Sequence, residues 1–177
     1  LSDQKFGANT FYSAAYDNQY EETRKYIASV QAQTKGTIKF TPAFYWNRSL
    51  DHFQLIRNTH TGENFHQTDV FGASLNASFD SSWGKTSLGA EIRNEGILST
   101  NLGKPLDEDQ YVNIPGEDQQ YTRKDNRTNV GYYLEHNILF SQVTVSMGAL
   151  ANMNTALDHK FRFYPGIDIS YRPTDNI

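Results

Sequence analysis

Hydrophobic and polar positions alternate with a period of two along most of this chain. In "GTIKFTPAFYWN", Ile38, Phe40, Pro42, Phe44 and Trp46 fall on one face, and Lys39, Thr41, Ala43, Tyr45 and Asn47 on the other. Successive side chains of a strand point to opposite faces, so strict alternation over this length predicts a strand. "KYIASVQAQT" sets Tyr26, Ala28, Val30 and Ala32 against Ser29, Gln31 and Gln33, and "VFGASLNASF" sets Phe71, Leu75 and Phe79 against Ser74, Asn76 and Ser78. "TSLGAEIRN" opposes Leu88 and Ile92 to Glu91 and Arg93, and "TNVGYYLEHNILF" opposes Tyr132, Leu134 and Ile138 to Glu135 and Asn137. "VTVSMGALANMN" and "KFRFYPGIDISY" repeat the pattern, and the opening "KFGANTFYSAAY" follows it less cleanly.

The prediction is an all-β, antiparallel up-and-down meander of about eight strands of roughly 10 to 13 residues, long against a globular mode of about 5 to 6. A tilted strand crossing a bilayer needs about 9 to 11 residues. The connections also alternate in length. Tight turns are predicted at Lys35-Gly36, at 81–84, at Ser141-Gln142 and at 172–176, with longer polar loops around 17–24, 49–65, 97–126 and 155–159. Alternating short and long connections are the habit of a transmembrane barrel, with short periplasmic turns and long external loops. Aromatics gather at strand ends: Phe79, Trp83, Phe140 and Tyr171 by the short turns, and Tyr16, Tyr26, Trp46 and Phe161 by the long loops. They read as interfacial girdles. A soluble sheet with an aromatic core is the competing reading.

Composition narrows the classes. The chain has 177 residues, 16 basic and 20 acidic, for a net charge of -4. That balance gives no polyanion-binding surface and argues against nucleic acid. Cysteine is absent, which removes disulfide scaffolds, thiol nucleophiles and cysteine metal sites. No run approaches a membrane helix, and the first residues lack the pattern of a signal peptide. No catalytic set emerges, and the expectation is a protein that is not an enzyme. His52, His60 and His66 lie in a predicted loop at spacings that are no ligand pattern, so they read as solvated histidines. Three Asn-X-Ser/Thr triplets read as chance matches. Pro42 and Pro165 fall inside strands, where each removes a ladder donor, and Pro165-Gly166 predicts a bulge. His136 falls on an apolar face.

The segment "FYPGIDISYRPTDNI" resembles a barrel strand and periplasmic turn of TonB-dependent outer-membrane receptors: an amphipathic strand ending in Tyr, then Arg-Pro and an Asx-rich reversal. "NVGYYLEHNILFSQVTVSMGALANMN" is similar to the hairpin before it, and "ASFDSSWGKTSLGAEIRNEGILSTNLG" to a hairpin leading into an external loop. The resemblance is one of style over most of the chain, with no single diagnostic motif. It implies a plugged barrel of about 22 strands, of which residues 1–177 are a middle portion, without plug, TonB box or final aromatic strand. It implies a bacterial outer-membrane location, outer-membrane lipid around the wall, a TonB complex acting through the plug, and import of a bulky nutrient such as cobalamin or a ferric siderophore. The isolated segment is expected to self-associate.

The candidate ligand-binding segment is the acidic loop "PLDEDQYVNIPGEDQQY", with Asp107, Glu108, Asp109, Tyr111, Glu117, Asp118 and Tyr121. Its carboxylates are hard oxygen donors of the kind calcium takes, and the resemblance allows calcium, since some cobalamin receptors use calcium-ordered loops. The spacing is not that of an EF-hand, and a solvated charge run accounts for the same residues. No other cofactor or metal is expected. Two further readings stand beside the receptor: a small eight-stranded outer-membrane barrel with a structural or adhesive role, and a soluble lipocalin-like binding protein, which would bury Phe44 and expose Glu91.

Overall fold

The computed structural model describes residues 1–173, so the end of the predicted turn at 172–176 lies outside the described residues. Eight strands follow one another in an antiparallel meander: β1 (Ser2–Asn9), β2 (Gln19–Gln31), β3 (Ile38–Gln54), β4 (Asn64–Ser81), β5 (Gly84–Ser99), β9 (Arg123–Leu139), β10 (Val143–Asn154) and β11 (Arg162–Tyr171). The connection from β5 to β9 carries β6 (Lys104–Pro105), which pairs with β9, a single 3-10 turn (Glu108–Gln110), and a hairpin of β7 (Val112–Asn113) and β8 (Gln120–Tyr121). The all-β meander expected from the alternation is the fold, and no α-helix occurs among the described residues.

The strands are longer than the alternation indicated. β3, β4, β5 and β9 run to 17, 18, 16 and 17 residues. The expected loop at 17–24 is largely β2, the loop at 49–65 contracts to 55–63, and the loop at 97–126 to 100–122. The apolar period stops near Asn47 because both faces turn polar there. The backbone ladder continues regardless, since its N–H and C=O groups still need partners and cross-strand polar pairs replace apolar ones.

Pro165-Gly166 does not form the expected bulge. The β10–β11 register is unbroken from Val143↔Tyr171 to Asn152↔Arg162, with Ala149 opposite Pro165. Arg172 N donates to Gln142 O at 2.8 Å. By strand alternation the even-numbered N–H groups of β11 face β10, and the missing donor of Pro165 falls on the other edge. Pro42 does remove a bond: Ala32 N donates to Pro42 O at 3.1 Å, and proline cannot return it. A register shift does occur in β1, against β2, between Gly7 and Asn9.

The chain packs as two compact units. Unit 2 comprises Ser29–Tyr45, Gly72–Asn94 and the chain from Arg127 onward, and contains the predicted turns at Gly36, 81–84 and 141–142. One face of its strands is apolar and open: Phe44 is 59% exposed, Leu134 54% and Ile167 69%. The other is polar and partly self-satisfied. Tyr45 lies over Gly72 and donates its hydroxyl to Glu91 Oε1 at 3.0 Å. Tyr133 lies over Gly89 and donates to Asn76 Oδ1 at 3.0 Å. His136 is matched on its face by Thr86, whose Oγ1 is 2.9 Å from His136 Nδ1.

Unit 1 comprises Leu1–Ala28, Trp46–Phe71 and Glu95–Asn126. Its small core is Phe65, Ile114 and Tyr121, with Leu98 packed against them. Of the buried polar residues Gln19, Thr23 and Ser99, the first and last act as organisers. Gln19 ties the loop between β1 and β2 by donating to Ser13 O and Tyr16 O and accepting from Tyr12 N. Ser99 Oγ accepts from the N–H groups of Asn101 and Leu102 and meets His66 Nδ1.

Candidate ligand cleft

A cleft of about 480 Å³ lies within unit 1, inside the range of about 300 to 1,000 Å³ usual for small-molecule sites. Its floor comes from β2 (Glu22, Arg24, Tyr26), β3 (Trp46, Arg48, Leu50, Asp51, His52) and β4 (Phe65, His66, Gln67), and its rim from Ile114, Pro115, Glu117 and Tyr121 around the β7–β8 hairpin.

Three cross-strand pairs fix the geometry. Trp46 meets Phe71 with ring centres 6.5 Å apart, Arg48 meets Asp69, and His52 stacks on Phe65 at 4.1 Å. Each advance along β3 is matched by an equal retreat along β4, so the two strands hold one register and these side chains share one face. Phe71 on that face is 54% exposed.

Arg48 grips Asp69 with both prongs, Nε to Oδ1 at 2.7 Å and Nη2 to Oδ2 at 3.0 Å. Trp46 Nε1 adds a bond to Oδ1 at 3.2 Å and Gln67 Nε2 one to Oδ2 at 3.0 Å. Burial opposes ionisation of Asp69, but the bonds from Arg48, Gln67 and Trp46 outweigh it and hold the carboxyl below its ordinary value. Forked guanidinium–carboxylate pairs are directional and stronger than neutral hydrogen bonds. Asp69→Asn would leave the guanidinium beside a neutral amide. The expected loss is about 1 to 2 kcal/mol, reduced because Arg48 is partly solvated. The chain's unfolding midpoint in denaturant checks it, and no shift would count against this pair as an anchor of the floor.

A second hub closes the rim. Glu63, at the end of the β3–β4 connection, has a side chain only 6% exposed. It receives His52 Nε2 at 2.7 Å, Gln54 Nε2 at 3.0 Å, Gln119 Nε2 at 2.7 Å and the ring of His60. Burial again raises its pKa, yet the four hydrogen bonds prevail and pull it from 4.5 to about 2. Exposed His60 is raised by its bond to Glu63. The depressed carboxyl stabilises the fold fully above its ordinary value and loses that contribution as pH falls from about 4.5 towards about 2. The raised imidazole contributes below its ordinary 6.5 and loses it as pH rises through the elevated value. The hub is therefore strongest between those limits. Hydrogen exchange at Gln119 and Gln120, corrected for intrinsic rates, should speed up as pH falls below about 4.5, and Glu63→Gln should abolish that dependence. A pH-independent opening in the unsubstituted chain would contradict it.

The expected site residues are only partly brought together. Asp107, Glu108 and Asp109 are exposed in and before the 3-10 turn, Tyr111 follows it half-buried, and Asp118 is exposed in the hairpin. Glu117 and Tyr121 alone of that set line the cleft. No group of three or more His, Asp or Glu side chains is arranged to hold a metal ion among the described residues, so the calcium reading finds no gathered carboxylates. The loop histidines also need correction. His52 lies in β3 and His66 in β4, where burial lowers its pKa with Asp51 opposing; of these three, His60 alone is solvated in a loop, 91% exposed at the side chain. Glu22, Arg24, Arg48, Glu63, Asp69 and Gln119 were not foreseen. Strand alternation marks the faces of Arg48 and Asp69, but only the register of β3 against β4 makes them partners.

The chain matches no protein family, no curated protein and no solved structure.

Proposed function

We propose that this segment is barrel wall and external loop of a TonB-dependent outer-membrane receptor, which imports a bulky nutrient of the cobalamin or ferric-siderophore class. The observation that carries the reading is the two-faced construction of unit 2. Its apolar side chains stand open while its polar side chains bond among themselves. Water penalises such an open face and lipid does not. Trp83 and Phe140 by the short turns are 80% and 62% exposed, as girdle residues meeting a membrane interface would be. On this reading unit 2 crosses the bilayer. The lipid partner lies against the apolar face, and the plug and TonB complex act from elsewhere in the receptor. The role is transport rather than catalysis, with a nutrient and not a nucleic acid as ligand.

Two observations weigh against the alternatives. A lipocalin-like barrel would bury Phe44 and expose Glu91; both are exposed, and it is the open Phe44, at 59%, that counts against it. A small closed barrel would pair its first and last strands, whereas β1 and β11 each have one neighbour among the described residues. An antibody raised against the chain tests the location. It should detect its antigen in the outer-membrane fraction of the native cell, resistant to alkaline extraction. Antigen confined to the soluble fraction would contradict the proposal.

A further inference from the structure

The outer edge of β11 is complementary to itself. Every residue from Arg162 to Tyr171 is exposed, and among the described residues the strand has β10 as its one neighbour. Arg172 N donates to Gln142 O, so the even-numbered backbone groups of β11 face β10. Those of Phe163, Ile167 and Ile169 therefore point outward as unused rungs. The edge at β1 is blunted by Asp3, Lys5 and a register shift, devices that keep edges from pairing. β11 keeps an unbroken register with β10.

Pro165 is the outward-facing position that cannot donate, and it selects a register. When two β11 strands meet antiparallel, a Pro165 opposite any other residue spoils two rungs, one for each copy. Centring the pair on Pro165 itself puts both missing donors into a single rung. Phe163 then faces Ile167 of the partner copy, twice by symmetry, which gives about four backbone hydrogen bonds.

The side chains favour the same register. By alternation Arg162, Tyr164, Gly166 and Asp168 share the polar side of β11. Arg162 falls opposite Asp168 of the partner copy, and Tyr164 opposite Gly166 of the partner copy. Asp168 is exposed and has no ion-pair or hydrogen-bond partner among the described residues. Arg162, 56% exposed at the side chain, meets Asp158 at 3.3 Å and has further donors to give. Gly166 is bare, since an added Cβ would meet nothing within 4 Å. Other glycines of unit 2 are covered by rings, Gly72 by Tyr45 and Gly89 by Tyr133, and the partner's Tyr164 supplies that cover here. Centring on Gly166 instead would set Arg162 against Ser170 and lose the direct ion pair. Centring on Ile167 would set Arg162 against Arg172, like charges directly opposed.

We propose that two copies of this chain pair edge to edge, antiparallel through β11, about a two-fold axis at Pro165. The inference rests on β10 and β11 and not on the transport reading, so either can fail without the other.

The test keeps the apolar face covered. The 177-residue chain is held in a polyoxyethylene detergent, and its mass is followed by sedimentation as protein concentration rises. A monomer–dimer equilibrium is expected. Asp168→Arg opposes like charges twice by symmetry and should weaken the dimer about ten-fold; adding Arg162→Asp should restore it. Gly166→Val blocks the seat of the partner's Tyr164 and should weaken the dimer as well, with the β-sheet circular dichroism of the monomer unchanged. The register is read by nitroxides at Pro165→Cys and, separately, at Ile167→Cys. Spin–spin broadening should be strong at the first, where the labels face each other. It should be weak at the second, where they stand about 13 Å apart along the strand. A monomer at every concentration, a dimer that neither Asp168→Arg nor Gly166→Val weakens, or stronger broadening at Ile167→Cys would overturn the proposal.

Discussion

Valine at Gly72 or Gly89 is expected to be among the most damaging single substitutions in the chain. A Cβ at Gly72 would sit 2.1 Å from Tyr45 Cζ, and one at Gly89 would sit 2.3 Å from both Tyr133 Cε1 and Asn76 Oδ1. Neither ring can yield by tenths of an ångström; each must leave its place. Tyr45 would then lose its bond to Glu91, and Tyr133 its bond to Asn76. Overpacking of about 1 to 3 kcal/mol and one lost hydrogen bond of about 1 kcal/mol give a loss near 3 kcal/mol. Gly166 is the internal control, because an added Cβ there meets nothing within 4 Å. Gly166→Val should be close to neutral. Pairing Gly72→Val with Tyr45→Ala should recover part of the loss, a coupling that a double-mutant cycle measures. Equal effects at Gly72 and Gly166 would show that the Tyr–Gly contacts do not organise the polar face.

Without detergent, the chain is expected to self-associate. Phe44, Leu75, Leu88, Ile92, Leu134, Met147, Phe163 and Ile167 are all exposed. Soluble monomers rarely tolerate open apolar patches beyond a few hundred Å². Covering about 1,000 Å² at about 25 cal/mol per Å² offers ample drive for association even after its entropic cost. β1 and β11 also present unpaired edges among the described residues, which invite strand addition. Sedimentation should give oligomers in buffer and a smaller species in detergent. A clean monomer in buffer would mean that the faces are wrongly assigned.

The two predictions rest on features of different legibility. The apolar face was readable because alternation at Phe40, Phe44, Leu75 and Leu134 is a local signal of period two. So were the tight turns near Gly36, Gly84 and Gln142. Strand ends were not, because "NRSLDHFQ" and "NFHQTD" carry polar residues on both faces and the signal vanishes while the ladder continues. Tyr45 over Gly72 joins two strands through register, which no short window contains. The same holds for the cleft. Glu117 and Tyr121 were accessible from a loop rich in acids and aromatics, but Arg48 and Asp69 are 21 positions apart and become neighbours only through β3 and β4. The hub at Glu63 gathers His52, His60, Gln54 and Gln119 from three segments. Histidine spacing alone pointed to solvated loops because it could not show that β3 extends through His52.

The central claim is that the apolar face of unit 2 meets lipid and the polar face meets water. The absence of native cysteine makes single spin labels clean. Nitroxides at Phe44, Leu134 and Ile167, and at Asn76, Glu91 and Glu135, would be compared in lipid bilayers for collision with dissolved oxygen and with a water-soluble nickel chelate. The account predicts oxygen access and nickel exclusion at the first three, and nickel access at the second three. Nickel reaching both sets equally, or the reverse pattern, would contradict it.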